Sequence, residues 1–151
     1  MSYQNIFKAF EALSVNELYQ ILRLRNEVFV VEQNCNYQDA DGKDQHCHHL
    51  MMFKDEMLVA YARLVPAGLS FDEVSIGRVI THSSVRGTGA GKLLMQAAMD
   101  KSREIYGDEV IRIGAQTYAK DFYARLGFEE TDIEFMEDEI PHLEMVFRPA
   151  H

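Results

Sequence analysis

The 151-residue chain has two cysteines, three prolines and no long run of apolar residues. Two cysteines, Cys35 and Cys47, do not make the disulfide framework of a small secreted domain, so we expect reduced thiols in a cytoplasmic protein. No apolar run approaches the roughly 20 residues that a transmembrane helix needs. The first residues, MSYQNIFKAFEAL, lack a basic stretch followed by an apolar run. We therefore expect no secretory signal peptide and no membrane partner.

Positive charge is also scarce in this chain. It has 15 lysines and arginines against 24 aspartates and glutamates, which gives a net charge of −9. Acidic residues cluster at Glu129-Glu130 and at Glu137-Asp138-Glu139. Such a surface repels nucleic acid and favours cationic partners, although charge of this kind also serves solubility alone. We expect no nucleic-acid partner.

The chain contains no repeat, no low-complexity segment and no Pro/Ser-rich linker. Its length suits one hydrophobic core, so we predict a single domain over residues 1–151. Residue patterning predicts the order β-α-β-β-β-α-β-α-β-β, which indicates a mixed α/β sheet with helices on both faces. The predicted strands are 3–10, 49–53, 57–65, 74–81, 110–115, 128–135 and 142–147. Of the three predicted helices, one begins at Ser14, one begins at Ala90 and one spans residues 118–126.

Two of the predicted helices carry clear local signals. Ser14 and Glu17 have the S-x-x-E spacing of a capping box at a helix start. Apolar residues then follow at helical spacing, namely Leu18, Ile21, Leu22 and Val28. In the second helix one face is predicted to hold Ala90, Leu93, Leu94, Ala97 and Ala98.

Residues 85–95, VRGTGAGKLLM, join a predicted strand to that second helix. A Walker A loop requires G-x-x-x-x-G-K-[ST], but Arg86 stands at the first glycine position and leucine follows Lys92. A dinucleotide fingerprint, G-x-G-x-x-G, requires its third glycine where Lys92 stands. Both of these nucleotide-binding motifs are therefore excluded.

What remains is the pattern R-x-x-G-x-G between a strand and a helix. Glycines allow a ligand to approach the backbone closely, and N–H groups at a helix N-terminus favour an anion. Arg86 adds a full positive charge. The pattern indicates a cradle for a pyrophosphate, and the alternative is a turn that merely joins strand to helix.

This pattern resembles the coenzyme A pyrophosphate loop of the GNAT superfamily of N-acetyltransferases. A second segment, QTYAKDFYARLGFEE, resembles the superfamily's N-x-x-A-x-x-F-Y-x-x-x-G-F, with Gln116 where asparagine is usual. The matching positions are Ala119, Phe122, Tyr123, Gly127 and Phe128. The stretches VFVVEQNCNYQDADGKD, LVAYARL, IGRVI, LGF and IPH are similar to the ElaA family, small bacterial GNAT proteins whose acceptors are poorly defined. The resemblance covers nearly the whole chain.

The resemblance implies the GNAT (acyl-CoA N-acyltransferase) fold, with a mixed, mostly antiparallel sheet, and acetyl-CoA as the expected donor. The pantetheine arm is expected in a gap between strands 75–81 and 110–115, bound by backbone groups of Val79 and Thr81. An N–H around Val79–Ile80 is the expected oxyanion donor. The remaining expected CoA-binding residues are Arg86, Gly87, Gly89, Gly91, Lys92 and Gln116.

Tyr123 is the candidate catalytic residue, because it matches the tyrosine that protonates the departing thiolate in many GNAT enzymes. A phenol with a pKa near 10 is a plausible proton donor to a thiolate. The alternative is a tyrosine that only packs on a short helix beside Phe122. The resemblance further implies direct transfer in a ternary complex, without an acylated serine or cysteine.

The general base is not assigned by the sequence. GNAT enzymes often place a carboxylate on the strand before the phosphate loop, but residues 75–81, SIGRVIT, contain none. A water chain is one alternative. The candidate side chains are Glu73, Glu32, His49, His82 and His142.

Two further clusters suggest chemistry. His46-Cys47-His48-His49 has zinc-ligand side chains, but adjacent residues of an extended chain point to opposite sides, so we predict no metal site. The segment 39–44, DADGKD, resembles half of a calcium loop but lacks the glycine and glutamate of an EF-hand. It is better explained as an Asp-Gly turn, with a role in an amine-binding mouth as a hypothesis.

The leading hypothesis is an acyl-CoA-dependent N-acyltransferase that acts on a primary amine. The acceptor is left open between a polyamine-like molecule, an aminoglycoside-like molecule and a protein lysine, and a homodimer is also left open. The alternatives are a non-catalytic acyl-CoA-binding GNAT module and a metal-dependent protein built on the histidine cluster.

Overall fold

The computed structural model describes residues 2–149, and within them the strands and helices follow the predicted order. The strands are β1 Gln4–Ala9, β2 His48–Lys54, β3 Met57–Val65, β4 Ser75–Thr81, β5 Ile111–Gln116, β6 Glu129–Glu137 and β7 Ile140–Phe147. The α-helices are α1 Val15–Arg25, α2 Ala90–Tyr106 and α3 Lys120–Arg125. Among these residues no helix has the length and apolar composition needed to cross a bilayer.

The first helix begins at the predicted capping box. The Glu17 backbone N–H donates to Ser14 Oγ at 3.0 Å, and the Ser14 N–H donates to Glu17 Oε1 at 2.8 Å. Beyond Arg25 the helix continues as a π-helical segment, Asn26–Glu32, which the sequence did not indicate. The segment carries Phe29 and Glu32 to the wall of a cleft, consistent with the frequent occurrence of π-helical turns at functional sites.

The strands form two antiparallel sheets, ordered β1-β2-β3-β4 and β5-β7-β6. Within residues 2–149, β4 and β5 are linked only near their beginnings, by a parallel bridge between Val74 and Ile111. Beyond this bridge the two strands separate. The predicted mixed, mostly antiparallel sheet and the predicted gap are both confirmed.

Helices cover both faces of the first sheet, as predicted. On one face α1 packs against Met51, Tyr61 and Ile80. On the other face α2 packs against the opposite side of β3. The buried residues of α2 are Ala90, Leu94, Met95, Ala98 and Ser102. Leu93 was predicted on that face but is 49% exposed, because the buried strip follows steps of four from Ala90.

Two-residue turns close the β2–β3 and β6–β7 hairpins. Asp55 and Glu56 have φ angles of 51° and 66°, and Asp138 and Glu139 have the same values. Positive φ at both central residues is typical of type I′ turns, which match the twist of the paired strands. The predicted hairpin at Lys54–Glu56 is confirmed, and the acidic cluster at 137–139 contains a second tight turn.

Candidate functional site

A cleft of about 620 Å³ opens where β4 and β5 separate. One wall is β4, and the opposite walls are β5, α3 and the β6–β7 hairpin. The π-helical segment and the loop after it, up to Tyr37, form the remaining side. The volume lies in the range that small-molecule and cofactor sites occupy.

Most of the predicted site residues meet in this cleft. Its lining includes Val79, Ile80, Thr81, Arg86, Gly91, Gln116 and Tyr123. Gly87, Gly89 and Lys92 are not part of the lining and lie exposed on the adjoining loop and the first turn of α2. The structure therefore places all ten either in the cleft or directly beside it.

A β-bulge shapes the cleft wall formed by β4. Pairing shifts from Tyr61–Ile80 to Arg63–Gly77, so that two residues of β4, Arg78 and Val79, stand opposite one residue of β3. Arg78 has a φ angle of 49°, which is uncommon for a residue with a side chain. Bulges bend a strand and redirect its groups. This one lies at Arg78 and Val79, and both residues line the cleft.

The glycine loop, residues 86–91, leads into the N-terminus of α2. Gly87 and Gly89 have φ angles of 77° and 89°, in the left-handed region that glycine tolerates. A Cβ atom added at either position would meet nothing within 4 Å, so the loop surface is open there. No side chain caps the first turn of α2, a helix of 17 residues, and its N–H groups and dipole favour an anion.

The Arg86 side chain extends away from the glycine loop toward the end of β4. Its Nη2 and Nε atoms donate to the Thr81 carbonyl at 2.8 and 3.2 Å. Nη2 also lies 2.6 Å from Glu32 Oε1 of the π-helical segment. Arg86 thus links two walls of the cleft.

Tyr123 projects from α3 into the cleft. Its ring packs edge-on against Phe122 and Phe128, with centroids 5.1 and 5.9 Å away. Within residues 2–149 its hydroxyl has no hydrogen-bond partner. Burial raises the pKa of Tyr123 to about 12, and repulsion from the Tyr118 phenolate adds to this effect. The phenol therefore stays protonated at neutral pH and is available to a ligand.

Of the five candidate bases, Glu32 and His142 line the cleft. The other three are held elsewhere. Glu73 pairs with Arg112 at 3.0 Å, and His82 lies 3.3 Å from Glu27. His49 is fully buried, and both its ring nitrogens are hydrogen-bonded.

A cluster of ion pairs around the buried residues Arg25, Arg63 and Asp44, which was not predicted from the sequence, supports the loop after the π-helical segment. Asp39 accepts from Arg25 and Arg78 at 2.8 Å each. Asp44 accepts from Arg25 at 2.7 Å and from Arg63 at 2.9 Å. Burial alone would raise the pKa of Asp44, but its bonds with the two arginines lower it overall. We call the set of Arg25, Arg63, Arg78, Asp39, Asp41 and Asp44 the arginine–aspartate cluster.

A signal for this cluster was present in the sequence. Arg63 and Arg78 stand alone within the apolar strands LVAYARL and IGRVI, and a charge inside a buried strand requires a partner. The three aspartates of segment 39–44 are those partners, and none of the three lines the cleft. The hypothesis that they form an amine-binding mouth is therefore not supported, because their charges are directed toward the arginines.

The histidine-cysteine cluster is dispersed by the fold. His48 stacks on Phe7 with centroids 5.4 Å apart, and the Cys47 thiol donates to the Lys43 carbonyl at 3.2 Å. His49 is bonded to the Tyr61 hydroxyl and the Asp44 carbonyl. In the part of the chain that the structure describes, no group of three histidine, cysteine or acidic side chains is arranged to hold a metal.

Comparison with known proteins agrees with this architecture. Residues 11–149 match the family described as the acetyltransferase (GNAT) domain. Protein ElaA of Escherichia coli is 41% identical over 135 residues, which are 88% of each chain. Its crystal structure aligns with a TM-score of 0.91 at 36% identity, covering 97% of this chain and 100% of that one.

A crystal structure described as an acyl-CoA N-acyltransferase from Pseudomonas aeruginosa aligns with a TM-score of 0.92. It is 39% identical, and the alignment covers 97% of this chain and 99% of that one. The fold is therefore that of the acyl-CoA N-acyltransferases, as the resemblance of the sequence implied. The separated strands, the glycine loop and the extent of these matches together show that the chain belongs to the GNAT acetyltransferase family and, within it, to the ElaA family.

Proposed function

We propose that the protein transfers an acetyl group from acetyl-CoA directly to a primary amine. The observation that carries this proposal is the cleft between β4 and β5, which has Arg86 and Gly91 of the glycine loop and Tyr123 among its lining residues. A donor with a long, narrow arm and a terminal pyrophosphate suits this shape.

The pantetheine arm is an extended chain with amide groups, so it can add to the edge of β4 as a further strand does. Backbone groups of Val79 and Thr81 are the proposed partners. The pyrophosphate is placed over Gly87, Gly89 and Gly91, at the N-terminus of α2, with Lys92 nearby. Arg86 reaches the pyrophosphate by giving up its contacts with Glu32 and with the Thr81 carbonyl. This carbonyl is then available to accept a hydrogen bond from the pantetheine arm.

The reaction begins when an amine nitrogen attacks the thioester carbonyl. Negative charge then develops on the carbonyl oxygen. A backbone N–H around Val79–Ile80, beside the bulge, is the proposed donor to this oxygen. Removal of one such donor from an oxyanion hole typically costs about 3 kcal/mol of transition-state stabilisation.

Tyr123 is the proposed general acid for the departing CoA thiolate. Its raised pKa keeps the proton on the phenol until the C–S bond breaks. A thiolate released into a buried site is also more basic than one in water, because burial disfavours the charged form. The buried Cys47 thiol illustrates the direction of this effect, since burial raises its pKa.

The acceptor enters from the side of the cleft formed by the π-helical segment and the β6–β7 hairpin. Glu137 and Asp138 line this side, and they favour a cationic group. This arrangement supports an amine that is protonated in solution, whether it belongs to a small molecule or to a protein lysine.

Donor binding is tested by the melting temperature of the metal-free protein with acetyl-CoA, with CoA, and with ATP as an anion control. A ligand that binds only the folded state stabilises it by about 2.7 kcal/mol at a hundredfold excess over Kd. We expect a higher Tm with both CoA forms and no change with ATP. No change at millimolar acetyl-CoA would refute the assignment of the donor.

Catalysis is tested by Tyr123→Phe, which removes only the hydroxyl. We expect kcat to fall by about 10²- to 10⁴-fold, the usual contribution of acid–base catalysis, with an unchanged Kd for acetyl-CoA. Tyr19→Phe, an exposed tyrosine of α1, is the matched control. If wild-type protein binds acetyl-CoA but acetylates no amine, the chain is a non-catalytic acyl-CoA-binding module instead.

A further inference from the structure

His142 occupies a place in the cleft that neither the donor site nor Tyr123 accounts for. It lies on β7, opposite Gln116 of β5 and Phe135 of β6. Its ring stacks on Phe135 with centroids 5.2 Å apart, and the residue is only 7% exposed. The ring is therefore held in one orientation, in a position where it lines the cleft.

The strand register places His142 beside the end of β5, in the same cleft as the proposed oxyanion donor. The strands β4 and β5 start beside each other at the Val74–Ile111 bridge, and Val79 of β4 and Gln116 at the end of β5 both line the cleft. Gln116 pairs with His142 on the next strand. Opposite residues of antiparallel strands project from the same face of a sheet. The imidazole therefore lies on the same face of the sheet as the Gln116 side chain. The Gln116 amide donates to Gln33, which directly follows the π-helical segment.

The hydrogen bonds of the ring determine which nitrogen is basic. His142 Nδ1 lies 2.7 Å from the Ile140 carbonyl oxygen. A carbonyl oxygen only accepts, so Nδ1 must carry the hydrogen. In the neutral ring the lone pair then belongs to Nε2. Nε2 lies 3.6 Å from Glu137 Oε2, a carboxylate that is 59% exposed.

We propose that His142 Nε2 is the general base that takes the proton from the acceptor ammonium, and that the Glu137 carboxylate binds this ammonium beside it. The proposal rests on the proposed function and identifies the residues that recognise its acceptor. A protonated primary amine is the ligand class that this pair selects, because a carboxylate binds the cation and an adjacent lone pair can accept its proton.

The charged groups that surround His142 and Glu137 leave both side chains available to a ligand. On the hairpin, Glu137 and Asp138 are the acidic neighbours, and the Cys35 thiol lies 3.9 Å from the Asp138 carbonyl. Further along β7, Glu144 is held by Arg112 at 3.0 Å. The other titratable side chains of the cleft are Tyr37, Tyr118, Tyr123, Arg78, which is bonded to Asp39, and Glu32, which is bonded to Arg86.

The proton balance of the reaction is complete with these groups. Nε2 takes one proton from R–NH₃⁺, and the free amine forms a C–N bond to the thioester carbonyl. The C–S bond then breaks, and Tyr123 gives its proton to the thiolate to form CoA–SH. The second proton of the attacking nitrogen returns to Tyr123 as the amide forms. His142 releases the first proton to water.

The first test needs no acceptor and measures the ring nitrogens of ¹⁵N-histidine-labelled wild-type protein by NMR, with acetyl-CoA bound. We expect the neutral ring of His142 to carry its hydrogen on Nδ1. A hydrogen on Nε2 would overturn the proposal, because that nitrogen would then have no lone pair. His142→Gln identifies the signals, and the measurement itself is made on the unaltered protein.

The second test compares His142→Gln with wild type on spermidine, an aminoglycoside and a lysine-containing peptide. We expect kcat/KM of the wild type to rise with pH through one ionisation. The variant should lack this rise with pH, and its kcat should be lower by about 10²- to 10⁴-fold. Glu137→Gln should mainly raise KM for the amine. His46→Gln, at an exposed histidine outside the cleft, should behave as wild type.

Failure of this proposal is distinguishable from failure of the proposed function. If acetyl-CoA binds and an amine is acetylated, but His142→Gln keeps the pH limb and loses less than about tenfold in kcat, His142 is not the base. If acetyl-CoA does not bind at all, the donor assignment itself is wrong. An unchanged Kd for acetyl-CoA in His142→Gln shows that the variant is folded.

Discussion

The arginine–aspartate cluster differs from the Arg86–Glu32 pair in its burial and in the number of partners that each charge has. Arg86 and Glu32 both line the cleft, whereas the cluster reaches it only through Arg78. The Arg25 side chain is completely buried and has two carboxylates as partners. The Arg86 side chain is 43% exposed and has one carboxylate, whose own side chain is 30% exposed. Removal of a charged partner destabilises the fold strongly at a buried site and only slightly at a partly exposed one.

This contrast assigns the two regions different roles. Buried arginines with fixed partners hold the loop 33–47 and the bulge of β4 in one arrangement. Arg78 connects the two, because it sits at the bulge and bonds to Asp39 of the loop. Arg86 has a partly exposed carboxylate partner, so under the proposed function we expect the donor pyrophosphate to displace it.

The largest effect is expected from Asp44→Asn, which removes a charge from the cluster but keeps the shape of the side chain. Asp44 Oδ1 accepts from both Arg25 and Arg63. We expect the free energy of unfolding to fall by about 3–5 kcal/mol, because two buried cations each lose one of their two carboxylate partners. Urea denaturation measures this change. Asp100→Asn, at an exposed position of α2, should change it by no more than about 0.5 kcal/mol.

The next effect in size concerns Arg86. Arg86→Gln should weaken acetyl-CoA binding by about 10- to 100-fold, which corresponds to roughly 1.5–3 kcal/mol for a hydrogen bond to a charged group. Stability should be nearly unchanged, because the Arg86–Glu32 pair is partly exposed. Calorimetric titration with acetyl-CoA provides the measurement. Arg103→Gln, near the far end of α2, is the control, and equal affinities in both variants would argue against a pyrophosphate contact.

The smallest effect is expected from Glu32→Gln. If Arg86 must leave Glu32 to bind the donor, removal of this carboxylate should tighten acetyl-CoA binding by the strength of an exposed pair, about 0.2–1 kcal/mol. The gain should shrink as salt screens the pair. Titrations at low and high ionic strength measure it, with Glu104→Gln as control. A loss of affinity would mean that Glu32 supports donor binding directly.

Much of the fold was accessible from short-range patterns. The capping box at Ser14, the hairpin at Lys54–Glu56 and the helix that follows the glycine loop all depend on neighbouring residues, and all three were predicted correctly. The second tight turn was less visible, because Asp138-Glu139 is not a usual pair for a type I′ turn. The π-helical segment was missed because one extra residue in a helical turn leaves little trace in apolar spacing.

The residues of the site also fall into two groups, those that short sequence patterns indicated and those that only the fold brought together. The glycine loop and Tyr123 were identified because their residues are close in sequence and resemble a known pattern. The partners of Arg25, Arg63 and Arg78 are 14 to 39 positions away, so only folding shows which carboxylates they meet. The same holds for Arg86 and Glu32, and for His142 and Glu137, whose relation depends on a tight turn.

The sequence by itself determined the order of strands and helices and marked the glycine loop and Tyr123 as candidates, because these depend on local propensity and on contiguous residues. Only the tertiary structure decided which charges are neutralised and which face the cleft. Burial and pairing follow from where distant segments meet. The separation of β4 from β5 beyond one bridge brings His142, Glu137, Tyr123 and the bulge together around one cavity.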